Sequence, residues 1–181
     1  NNDYARNYFD IVETNIVGEN APRLVSLIDN APGQPDDGAR RAVIRAWADW
    51  CQKGVCDVTG QYSFATLCQN IARGTARDGE YCVEILRGPP AGNRFGFALR
   101  VIDVERLATW MHRDASEGRE AIINGVQVDA NGKPTGYWFN NSSRLTARQA
   151  EFMPAKSIIH RFRINRPEQK RGIPWAHASM L

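Results

Sequence analysis

The sequence is short of lysine, of paired cysteines and of long apolar runs, and each shortage narrows what the chain can be. Only four of its 23 basic residues are lysines (Lys53, Lys133, Lys156 and Lys170). Positive charge therefore sits mainly on guanidinium groups, which favour planar, two-pronged contacts to phosphate or carboxylate. No window reaches the roughly 18 uninterrupted apolar residues that cross a bilayer. No basic start followed by an apolar stretch and a small-residue cleavage site marks a secreted chain, so a soluble intracellular protein is expected. Gly-x-Ser-x-Gly is missing, as is a glycine-rich loop ending in Lys-Ser or Lys-Thr, so the usual signatures of acyl transfer and of phosphate cradling are both absent. Position 1 is Asn1 rather than Met, and the other end, RFRINRPEQKRGIPWAHASML, stops just as an apolar helix begins. Both ends fit a piece cut from a longer chain.

The 181 residues, 43% hydrophobic and 24% charged, have the composition of an ordinary globular domain. A chain of this length buries roughly 70% of the surface its unfolded form exposes. The four cysteines, Cys51, Cys56, Cys68 and Cys82, lack the short paired spacings of a zinc site, and His112, His160 and His177 are scattered. Buried free thiols are the expectation.

Charge is uneven along the chain. Residues 1–37 hold two basic against seven acidic side chains, a net of −5, and residues 38–181 hold 21 against 13, a net of +8. Residues 160–172 alone carry five basic groups and one acid, with breaks at Pro167, Gly172 and Pro174. The plain reading of that stretch is a solvated loop.

The periodicities predict an α+β protein in which helices come first and antiparallel hairpins follow. Tyr4, Tyr8, Val12 and Ile16 fall at steps of four, giving a helix that Gly18 and Pro22 end. PRLVSLIDN reads as a short strand and NAPGQPDDG as a linker, so residues 1–35 form a helical arm and 36–181 the body. Asp36 or Asp37 caps a second helix with Ala39, Val43, Ala46, Trp47 and Trp50 along one face. The two tryptophans could stack bases, but aromatics at helical spacing predict core. Ser63 caps a third helix, with Phe64, Leu67, Cys68 and Ile71 inward and Gly79 as its terminator. EYCVEILRG and FGFALRVIDV then form a hairpin in which Phe95, Phe97, Leu99 and Val101 share a face. A second hairpin brings Val126 and Val128 against Tyr137 and Phe139, with Asn131 and Gly132 supplying positive φ. In SIIHRFRI, Ile158, His160, Phe162 and Ile164 alternate with Ile159, Arg161, Arg163 and Asn165, and His160 is expected in the core with a hydrogen-bond partner.

The search for chemistry finds no nucleophile constellation. Two carboxylate pairs, Asp78 with Glu80 and Asp103 with Glu105, have the composition of a metal site, but helix ends and strand starts account for them equally well. No cofactor, metal or catalytic residue is assigned.

Four stretches, in order, carry a resemblance. They are YARNYFDIVETNIVGENAP; ATLCQNIARGTARDGEYCVEI, with its Asp-Gly-Glu corner; LRVIDVERL followed by INGVQVDANGKPTGYWF; and MPAKSIIHRFRINRPEQKRGIPWAHASML, with its Arg-Pro-x-Gln-x-Arg-Gly-x-Pro-Trp segment. Together they resemble the lambda family of bacteriophage portal proteins across nearly the whole chain. The chain departs from the family pattern at Glu19, Asn20, Ala21, Pro22 and Arg23, and at Cys51 and Cys56 in the connection leading to Asp-x-x-Gly.

The resemblance implies the amino-terminal wing of a portal subunit that stops before the stem helices. The whole protein is then a self-assembled ring, usually a dodecamer, at one vertex of a phage or prophage capsid. Such a ring is the DNA entry and exit channel and head-tail connector, docks the packaging terminase, and meets capsid and head-completion proteins. It is a virion component assembled in the bacterial host cytoplasm, with no membrane partner and no enzymatic activity, since ATP hydrolysis belongs to the terminase. A ring subunit presents unlike faces to its two neighbours. That makes Arg6, Asp10 and Glu13 candidates for an inter-subunit arm contact against the basic body. Arg163, Arg166, Lys170 and Arg171 are candidates for contact with double-stranded DNA or another subunit, or for bracing nearby carboxylates; bracing is the expectation where the channel-lining parts are missing. A stand-alone basic nucleic-acid-binding module is the main alternative, and a small hydrolase or metal-dependent enzyme using the carboxylate pairs comes last.

Overall fold

Asp36 caps a helix where a capping residue was expected, its Oδ1 accepting from the Ala39 amide at 2.8 Å. The computed structural model describes residues 3–19, 22–140 and 149–179. The family departure at Asn20 and Ala21 and the chain's close at Met180 and Leu181 lie outside the described residues. Helices and antiparallel sheets make the fold α+β, as predicted. The chain divides into two compact units, Asn1–Arg73 with Leu86–Arg100, and Gly74–Ile85 with Val101–Leu181.

The first unit opens with α1 (Asp3–Ile16). Its apolar face is only half covered: Tyr8 and Phe9 are partly buried and meet edge-on at 5.3 Å, whereas Tyr4 is 87% exposed. The strand expected across PRLVSLIDN shrinks to β1 (Asp29–Ala31), which pairs with β2 (Gln34–Pro35) inside the expected linker. Residues 22–28 have the composition of a strand, but a strand exists only with a ladder partner, and none of the described residues supplies one.

In α2 (Asp37–Trp50) Trp50 is buried and Trp47 half-buried, whereas Val43 and Ala46 of the expected inward face are exposed. Trp47 and Trp50 lie 5.2 Å apart, and both rings pack on Phe64, the first residue of α3 (Phe64–Asp78). The indole Nε1 of Trp50 donates to the Phe97 carbonyl at 2.9 Å. That hydrogen bond satisfies the one polar atom of a large buried ring. Ser63 caps α3 as predicted, accepting from the Thr66 amide at 3.2 Å.

β3 (Glu80–Arg87) and β4 (Phe97–Ile102) form the first hairpin, closed by Gly88 N donating to Gly96 O at 2.8 Å. Here the predicted inward face is corrected. Ala98 at 0% and Ile102 at 3% exposure are the buried residues of β4, not Phe97, Leu99 and Val101. Phe97 nevertheless packs on Trp50 at 5.5 Å. A strand with partners on both faces loses the period-two contrast on which such a prediction depends.

The second unit holds a four-stranded antiparallel meander, β5 (Ala121–Ile123), β6 (Val126–Val128), β7 (Pro134–Asn140) and β8 (Ala150–Pro154), adjacent in that order. A short 3₁₀ turn, Ala155–Ser157, leads to β9 (Ile158–Phe162), which pairs with β3 so that the second sheet runs β4-β3-β9. Val126, Val128, Tyr137 and Phe139 point inward as predicted, joined in the core by Cys82, Ile102, Val104, Leu107 and Ile158. Truncating a fully buried aromatic such as Phe139 costs about 3–5 kcal/mol.

The hairpin turns differ from expectation in detail. Asn124 (φ 50°) and Gly125 (φ 83°) form the two-residue turn of β5 and β6, the positive-φ pair that matches strand twist. At Asn131-Gly132 only Gly132 has positive φ, at 76°. Asp129 does the remaining work, its Oδ1 accepting from the Asn131 and Lys133 amides, each at 2.9 Å. The alternation in SIIHRFRI also ends early: Ile158 and His160 are buried, but Ile164, past the end of β9, is 73% exposed. The expected start of a helix near the carboxyl end is a 3₁₀ stretch, Trp175–Ser179.

Candidate functional site

Gly79 ends α3 at φ 82° and so delivers Glu80 as the first residue of β3. The register of β3 with β9 pairs Glu80 with Phe162 and Cys82 with His160, making Glu80 and His160 diagonal neighbours on one face. They meet at 2.9 Å from His160 Nε2 to Glu80 Oε2. Both are almost fully buried, and an ionised carboxylate only accepts, so His160 carries its proton on Nε2.

Two more partners come from the basic segment. Arg171 Nε donates to Glu80 Oε1 at 2.7 Å and its Nη2 lies 2.5 Å from the same oxygen, while the Gly172 amide donates to Oε2 at 2.7 Å. Burial alone pushes the Glu80 carboxyl up, but the hydrogen bonds from His160, Arg171 and Gly172, with the Arg171 charge, outweigh it and hold it below its ordinary value of 4.5. The backbone is equally close: a Cβ added at Gly79 would sit 2.1 Å from the Ile173 carbonyl carbon, and one at Gly172 would sit 2.2 Å from the Gly79 oxygen.

The rest of the segment is tied to itself. Gln169 accepts from the Asn165 amide at 2.9 Å and donates to the Arg163 and Arg171 carbonyls at 3.3 and 2.7 Å. Lys170 Nζ donates to the Gly132 carbonyl at 2.7 Å, reaching the β6–β7 turn. Of the four basic candidates, then, Lys170 and Arg171 are engaged inside the unit. Arg163 and Arg166 are exposed, with no ion-pair partner among the described residues. Sequence reasoning missed Glu80 and Gln169 as the organisers. The only advance signal was their presence in the Asp-Gly-Glu and Arg-Pro-x-Gln motifs.

The arm candidates lie in the first unit. Arg73 Nη1 is 2.5 Å from Asp10 Oδ1 and 3.3 Å from Glu13 Oε2, with its guanidinium 5.9 Å from the Phe9 ring centre. Arg6 is exposed and takes no part in this group.

The carboxylate pairs noted in the sequence serve local structure. Asp78 receives both prongs of Arg77 at 2.8 and 2.7 Å, and Asp103 caps a 3₁₀ turn by accepting from the Glu105 amide at 3.0 Å. Asp78, Glu80 and Glu105 do line one open depression of about 760 Å³, but Arg77 and Arg171 lie in it too and offset two of the three charges. Among the described residues no group of three or more His, Cys, Asp or Glu is arranged to hold a metal. All four cysteines are free. Burial raises the Cys82 thiol to about 12 and the Cys56 thiol to about 11, so both stay protonated and unreactive near neutral pH. Among the described residues no helix is long and apolar enough to cross a membrane.

The profile of the family described as "Phage portal protein, lambda family" matches residues 1–181. The "Probable portal protein" of Halomonas phage phiHAP-1 (isolate -/Gulf of Mexico/-/2001) is 35% identical over 184 residues, covering 98% of this chain and 35% of that relative. The chain thus spans about a third of the length of the curated relative it matches. With the Asp-Gly-Glu corner and the Arg-Pro-x-Gln-x-Arg-Gly segment joined through one buried carboxylate, and the match running through both compact units, the chain belongs to the lambda family of phage portal proteins.

Proposed function

We propose that this chain is part of the structural subunit of a portal ring, the head-tail connector through which DNA enters and leaves the capsid. In this reading it has no catalytic role: the ring docks the terminase, which supplies the ATP hydrolysis, and later meets the head-completion proteins. The observation that carries the reading is the family match from the first residue to the last. The engaged state of Lys170 and Arg171 favours a bracing role for them and leaves Arg163 and Arg166 as the groups free to meet DNA phosphates or a neighbouring subunit. Asp10 and Glu13 serve the arm first through Arg73, and Arg6 is the arm charge open to a neighbour.

The test is the mass of the full-length parent chain by light scattering at two salt concentrations, with electron microscopy of the same sample. A closed ring of a dozen or so subunits is expected. A parent that remains monomeric throughout overturns the reading.

A further inference from the structure

Two side chains in the second unit are buried with a polar atom left over. Tyr137 is 5% exposed and His160 6%. The His160 Nε2 proton goes to Glu80, which leaves Nδ1 as a bare acceptor. Burial pushes the Tyr137 hydroxyl up to about 12, so it keeps its proton and can donate. Among the described residues neither Tyr137 Oη nor His160 Nδ1 has a hydrogen-bond partner. Native structures rarely leave such groups unmet; protein, water or a ligand supplies the partner.

Both side chains line one recess of about 260 Å³. Their rings meet edge to face with centres 5.3 Å apart, so one small group can serve both. That group must donate to Nδ1 and accept from Oη, which a hydroxyl does and an amide N–H or a carboxylate alone does not. The volume lies just under the roughly 300–1,000 Å³ of drug-sized sites, so the occupant is small.

The walls add two requirements. Phe162 and Ile164 make part of the lining apolar. Arg161 and Lys170 bring two positive charges to it, and no acidic residue lines the recess. Neither cation is saturated: Lys170 Nζ gives one of its three protons to Gly132 O at 2.7 Å, and Arg161 makes a single 3.3 Å bond from Nη1 to His160 O. A water between Tyr137 and His160 would meet the first need but leave the charge and the apolar wall unmatched. A carboxylate matches the charge and lies in plane with a guanidinium fork.

We propose that this recess binds a short, branched 2-hydroxycarboxylate, with its hydroxyl between Tyr137 and His160, its carboxylate at Arg161 and Lys170, and its aliphatic end against Phe162 and Ile164. The site is complete within one chain and does not depend on the ring reading above.

The test is titration calorimetry of the full-length protein with 2-hydroxyisovalerate as the probe, alongside isovalerate, which lacks the hydroxyl, and inorganic phosphate, which lacks the apolar body. One saturable site per chain is expected for the probe, with isovalerate about three- to tenfold weaker and phosphate unable to displace the probe at equal concentration. Tyr137→Phe should weaken the probe by the same factor while leaving the unfolding midpoint in place, because the hydroxyl it removes holds no protein group. Arg161→Gln, an exposed change, should weaken the probe by about tenfold or more and isovalerate equally. No saturable heat at millimolar probe means that the recess holds water only and overturns the proposal. Isovalerate or phosphate binding as well as the probe overturns it too, as does a probe affinity that neither substitution changes.

Discussion

Arg73 reaches back 63 residues to Asp10 and 60 to Glu13, and Arg171 reaches back 91 residues to Glu80. Each arginine fastens a late stretch of its unit to an early one, but their surroundings differ. The Asp10 and Glu13 side chains are 52% and 28% exposed, whereas the Glu80 side chain is 2% exposed. An exposed pair gains little because water and salt already solvate and screen both charges. A buried carboxylate has given up its water, so every donor facing it is needed. The first unit's tie is therefore adjustable, and the second unit's is structural.

The largest effect expected from that difference is at Glu80. Glu80→Ala strands Arg171 and His160 without their acceptor and should cost about 3–5 kcal/mol in urea unfolding; a cost under about 1 kcal/mol would mean the two ties are alike after all. Acid gives the next effect. Because Glu80 is held below its ordinary value of 4.5, its contribution is complete above that pH and disappears as pH falls through the lower folded value. Melting curves should show wild type losing stability on this descent and Glu80→Gln, starting lower, losing less.

A weaker effect is expected at the arm. Arg73→Met or Asp10→Asn should change stability by about 0–1 kcal/mol, and the difference should vanish in molar salt while that of Glu80→Ala persists. The smallest effect belongs to Arg163→Ala and Arg166→Ala, exposed changes expected to stay within about 0.5 kcal/mol. Their readout is DNA binding by the full-length protein. If these residues touch phosphate, each removal lowers the slope of log affinity against log salt by about 1.

What the sequence made legible follows the range over which each interaction acts. Caps at Asp36 and Ser63, the tryptophan face of α2 and the β6–β7 pairing are set within a few residues and could be read directly. The β5–β6 hairpin carried an equally local signal in Asn124-Gly125, although the expectation placed positive φ at Asn131-Gly132, where Asp129 does half the work. The Glu80 site was hidden because its partners lie 80 to 92 residues downstream. Spacing in the chain says nothing about a carboxylate whose meaning comes from strand register. The same Asp-Gly-Glu run that suggested a metal is the corner at which α3 hands Glu80 to the core. Residues 22–28 misled for the converse reason: their composition is that of a strand, and composition cannot report whether an edge is within reach.

The close approach of Gly172 to Gly79 has a mechanical side. Tension applied along the backbone beyond Gly172 does not first straighten residues 163–171, because the Gly172 amide and the Arg171 side chain are already fastened to Glu80 at the root of β3. The load passes straight into the sheet through Glu80, and residues 163–170, held by Gln169 and by the Lys170 bond to the β6–β7 turn, lie outside the load path.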